Sequence, residues 1–171
     1  KLEPVTRLWC LAWPLIIANI ATPFLGRADA AIAGHLDEAY YLAAVTVGAE
    51  LLVIFFGTFS FLRMGTTGLV AQAVGSNDQA HAFRIVANAV LLALGIGSLL
   101  ALAGAQAIDP LLEFAKPTAE MTDPLQEYLE VRLWGAPANL TLIALTGWFI
   151  GQGLTRIALY LSVGINLANI L

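Results

Sequence analysis

The chain has 171 residues, of which 59% are hydrophobic and only 12% charged, with a formal net charge of −4. Soluble domains carry about 45–50% apolar and ~25% charged residues, so composition excludes an ordinary soluble enzyme, and no basic tract with interleaved aromatics points to nucleic acid. The single cysteine, Cys10, excludes an internal disulfide and a thiolate metal cluster.

The charges are clustered, which leaves uncharged runs at 8–26, 51–62, 85–108, 133–155 and 157–171. Several of these reach the ~18–20 residues that cross ~30 Å of hydrocarbon as a helix. None shows the short alternating segments of a membrane barrel. The expected fold class is therefore all-α, a polytopic helical membrane protein with the lipid bilayer as its first partner.

In chain order, the first expected span covers 8–34 and contains Pro14, Asn19, Thr22, Pro23, Gly26, Arg27 and Asp29. A short acidic connection, HLDEAYY, leads to a second span over 42–74, which carries Glu50 and Arg63. The turn GSNDQAHAFR offers Asn77 or Asp78 as the N-cap of a third span over 82–108. The segment DPLLEFAKPTAEMTDP is polar and punctuated by proline, with room for a short surface helix. A fourth span covers 125–151 with Pro137 as its expected kink, and a fifth covers 155–171.

With five spans, one membrane side receives Lys1, Arg7, Arg84 and Arg156, whereas the other receives Lys116 among Asp37, Glu38, Asp109, Glu113, Glu120 and Asp123. Lys and Arg collect on the cytoplasmic side, so the N-terminus and the GSNDQAHAFR turn are expected in the cytoplasm. Asp29, 21 residues after Leu8, then lies roughly 30 Å along the first helix, in the outer half of the bilayer.

A carboxylate within a span is disfavoured by about 2.5–3.5 kcal/mol on insertion scales, and such a residue is a functional hypothesis by default. Asn19, Thr22, Gly26 and Asp29 fall within about 80° of arc at 100° per residue. This polar, small-residue stripe should face protein or water. Pro14 and Pro23 each remove a backbone hydrogen bond and make the helix bendable. On the fifth span Ser162, Asn166 and Asn169 share about 60° of arc, as partners either of neighbouring helices or of Asp29. On the fourth, Arg132, Asn139 and Thr146 stack at seven-residue spacing, with Asn139 as a cavity-lining candidate. Glu50 and Arg63, thirteen residues apart, point to nearly opposite faces and do not pair with each other. No phosphate loop, nucleophile elbow or His/Cys ligand spacing is present, so no enzyme activity, metal or cofactor is expected.

The segments WPLIIANIATPFLGRADAAIAGHL, LRMGTTGLVAQAVGSND, WGAPANL, GWFIGQGLTR and SVGINLANIL resemble MATE-type multidrug and toxin extrusion transporters of the DinF-like branch, and the resemblance spans nearly the whole chain. It implies a secondary antiporter of about twelve helices in two six-helix halves, exchanging H⁺ or Na⁺ for amphiphilic, often cationic organic compounds. The present chain would be most of the N-terminal half, with the C-terminal half as its partner. Asp29 matches the branch's coupling carboxylate, Pro14 its bending proline and Asn169 its fifth-helix asparagine. An acidic partner is expected four residues after Asn169, beyond Leu171. Arg27 departs from the pattern, because that position is usually apolar. The same superfamily also implies an alternative, a flippase of lipid-linked cell-wall precursors, and a non-transporting membrane subunit is a third reading.

Overall fold

A computed structural model describes residues 6, 9–10, 12–14, 16–17 and 39–170, with side chains over 40–161 apart from Ala105, and at Gly164. The described positions before residue 18 are helical; Pro14 is fully buried there while Trp9 and Ile16 are exposed. Most of the expected first span, including Asn19, Thr22, Pro23, Gly26 and Asp29, lies outside the described residues.

Seven helices follow: α1 (Ala39–Gly57), α2 (Ser60–Gly75), α3 (Gln79–Ala103), α4 (Ala105–Ala115), α5 (Ala119–Trp134), α6 (Ala136–Gly151) and α7 (Thr155–Ile170). Among the described residues, two segments are long and apolar enough to cross a membrane, Tyr40–Gly75 and Gln79–Ala103, and a third is obtained if α5 and α6 form one broken span. The expected fifth span is helical over the 16 residues of α7.

Tyr40–Gly75 matches the second expected span and is 36 residues long. At 1.5 Å per residue it would reach roughly 54 Å, well beyond the hydrocarbon thickness. It is interrupted at Thr58 and Phe59. There the backbone switches to three-residue bonds, Thr58 N to Phe55 O and Phe59 N to Phe56 O, and the Thr58 hydroxyl donates to the Phe55 carbonyl at 2.6 Å. A glycine followed by a back-bonding threonine weakens the helix at that point.

Asp78 caps α3 as expected, its carboxylate accepting from His81 N at 2.8 Å. The far end of α3 differs from the expectation. The helix stops at Ala103, not near residue 108, because Gly104 adopts φ +50° and ψ −122°, a conformation that L side chains rarely adopt. Ile108 therefore belongs to the next helix, where it is fully buried. The short helix expected in the polar segment exists as α4, but it starts earlier and contributes to the core.

The fourth expected span is also two helices. α5 begins at Ala119, and α5 and α6 meet at Gly135 with a bend of 55°. Pro137, in the first turn of α6, has no N–H to donate to the preceding turn and clashes with a straight helix there. The expected kink is thus observed.

α6 packs against both α3 and α2, while α1 packs along α5. The buried stripe of α6 is Ala136, Leu140, Ala144, Gly147 and Gly151. Outward-facing α3 residues, Phe83, Leu91, Leu99 and Leu102, are exposed and apolar, as a lipid-facing surface requires.

Candidate functional site

The contacts around α6 are made through glycine. A Cβ on Gly147 would lie 2.6 Å from the Arg63 carbonyl oxygen, and one on Gly151 would lie 2.8 Å from that of Thr67. The four-residue spacing brings the backbones of α2 and α6 together, a packing mode that suits helices surrounded by lipid. The Thr67 hydroxyl bridges them, 2.7 Å from Arg63 O and 3.0 Å from Gly147 O. On α3, a Cβ at Gly97 would collide with Pro137 Cα.

Most hydroxyls of the bundle are satisfied by their own helices. Thr46 donates to Leu42 O, Thr141 to Pro137 O and Thr146 to Leu142 O, at 2.7–2.8 Å. The polar groups that stay open are the charged and amide side chains. Glu50 on α1, Arg63 on α2 and Asn139 on α6 are all exposed, and among the described residues none of them has a hydrogen-bond or ion-pair partner. A charge exposed on a membrane span must meet water, headgroups or further protein, so packing within these helices does not account for Glu50 and Arg63.

The seven-residue stack of Arg132, Asn139 and Thr146 is broken by the bend at Gly135. Arg132 instead lies over the Tyr128 ring, 5.7 Å from its centroid, a favourable site for a guanidinium. Asn139 follows the bend by one turn, its backbone N–H donating to Gly135 O. Ser162, Asn166 and Asn169 lie on α7, and their side chains are outside the described residues.

Two features of the site are not marked by apolar runs or charge. The close approaches at Gly48, Gly97, Gly147 and Gly151 leave no mark on hydropathy, although the four-residue spacing of Gly147 and Gly151 on one helix face is a usable signal. The second is the pair Glu130 and Trp134, one turn apart on α5 beside the Gly104 break.

Bent apolar helices with an apolar outer surface define a helical membrane protein. The fold is shared with a solved structure: 96% of the chain superposes with a TM-score of 0.84, at 23% identity, on 36% of a MOP superfamily transporter from Pyrococcus furiosus. The MatE family profile matches residues 14–171, and the chain belongs to that family of membrane transporters, not enzymes. It is 40% identical over 163 residues to DNA damage-inducible protein F of Escherichia coli, covering 95% of the chain and 36% of that relative. It is 34% identical over 163 residues to the multidrug resistance protein PmpM of Pseudomonas aeruginosa, covering 95% of the chain and 34% of that protein. The chain thus spans about a third of the length of these curated relatives.

Proposed function

We propose that the chain forms the N-terminal lobe of a secondary active efflux antiporter that exchanges H⁺ or Na⁺ for amphiphilic, cationic organic compounds across the inner membrane, with its N-terminus in the cytoplasm. The observation that carries this reading is the 34–40% identity, over nearly the whole chain, to relatives that include a protein named for multidrug resistance.

Asp29 is the coupling group in this reading. Occupied by a proton or a sodium ion, it loses the charge that the membrane interior disfavours, and the bendable helix around Pro14 and Pro23 settles into a different shape. Asn166 and Asn169, with Ser162, supply amide and hydroxyl oxygens from α7, while Asn19, Thr22, Gly26 and Asn139 line the route of the organic compound. A ligand shifts such an equilibrium only by its differential affinity for the two shapes, which a carboxylate with two charge states provides.

The test is efflux of a cationic dye by the full-length transporter. Asp29→Asn is expected to abolish gradient-driven efflux while leaving the protein in the membrane. Efflux by this variant at the wild-type rate would rule the coupling role out.

A further inference from the structure

α3 follows α6 closely but makes little contact with α5, because α5 leaves the bundle axis at the 55° bend just where α3 ends at Gly104. The divergence opens a recess of about 310 Å³ lined by Ala101, Leu102, Gly104, Glu130, Leu133 and Trp134. Its chemistry is two-sided. Leu133 is 1% exposed and Ala101 9% exposed, which gives the recess an apolar floor. Glu130 and Trp134 stand one turn apart on α5 and are both exposed, Trp134 at 69%. The Glu130 carboxylate accepts from Gln126 Nε2 at 2.9 Å through Oε1, which holds the group in place and leaves Oε2 open. Gly104 adds no side chain, and the space beside its Cα is empty. Leu102, 78% exposed, continues the apolar wall toward the lipid-facing side of α3.

We propose that this recess binds the ammonium head and first methylenes of a single-chain cationic amphiphile that arrives from the surrounding membrane. The carboxylate takes the positive charge, and the indole of Trp134 offers a π-face to the same cation. Leu102, Leu133 and Ala101 cover the start of the alkyl chain. A neutral amphiphile of equal length gains the apolar contact but not the charge contact, and an anionic one is repelled. The site lies between α3 and α5, on a different element from Asp29, and it does not depend on the antiport reading.

The probe is a dodecyltrimethylammonium brominated near its head, which quenches indole fluorescence at short range, titrated into the full-length protein in neutral-lipid nanodiscs. Saturable quenching is expected for the cation and not for a brominated maltoside of the same chain length. Trp134→Phe should remove most of the saturable part. Glu130→Gln keeps the size of the side chain and should weaken the affinity by about two- to fivefold, the scale of one charge contact at an exposed site. Glu113→Gln, at an exposed acid of α4 outside the recess, should leave the titration unchanged; the coupling role is read by efflux and this site by quenching, so the two fail separately. Equal affinity in Glu130→Gln, equal quenching by the neutral amphiphile, or unchanged saturable quenching in Trp134→Phe would each overturn the proposal.

Discussion

Around α6 the helices meet backbone to backbone, whereas α1 and α5 meet through side chains. In the first region Gly97, Gly147 and Gly151 bring main chains into contact, with Thr67 bonded across the seam. In the second, Leu125 and Leu129 are fully buried, and Gly48 opens a space that the Tyr128 ring fills. A backbone cannot step aside, but a ring or a leucine can change rotamer. The region around α6 should therefore respond to small changes as a rigid body, and the pair α1 and α5 as an adjustable one. Both regions belong to the same bent spans, so the breaks at Thr58 and Gly135 separate stiff packing from soft packing.

The same added methyl group tests this contrast at two sites. Gly147→Ala places its Cβ against the Arg63 main chain, and overpacking of that kind costs about 2–3 kcal/mol. The expected result is a large fall in the thermal unfolding midpoint of the purified protein. Gly48→Ala meets the Tyr128 ring edge and a Leu125 methyl, which can rotate. There the helix-propensity gain of alanine, roughly 0.5–1 kcal/mol, offsets much of the clash, and a small fall is expected. Equal falls in the two variants would remove the distinction between the regions. Thr67→Val, which deletes the interhelical bond at nearly constant shape, should show the smallest effect, about 0.6 kcal/mol by analogy with hydrogen bonds between membrane helices. A loss several times larger would place the bond, rather than the glycines, at the centre of the α2 and α6 contact.

Much of this bundle was legible in the sequence for simple physical reasons. Uncharged runs marked the second and third spans, Asp78 announced the start of α3, and Pro137 announced a bend. What escaped was set by backbone conformation and distance. Hydropathy carried the third span to residue 108, because an apolar scale does not register that Gly104 takes a positive φ. α4 was expected only as a short surface helix, since Asp109 and Glu113 are exposed, and its earlier start and buried Ile108 were not. A seven-residue spacing suggested that Arg132 and Asn139 share a face, and the 55° bend between them broke that inference. For the candidate site, sequence placed an acidic residue in an apolar segment. Structure added that Glu50, Arg63 and Asn139 remain open on neighbouring helices. The contacts of Asp29 lie outside the described residues.

The most direct measurement of the coupling role follows the ion itself. The full-length transporter is reconstituted in liposomes under an imposed pH or sodium gradient, and ion flux is recorded when a cationic substrate is added. In the wild type, substrate is expected to trigger ion movement opposite to its own. In Asp29→Asn, substrate should still bind but trigger none. Substrate-dependent ion flux of wild-type size in Asp29→Asn would contradict the assignment of Asp29 as the coupling carboxylate.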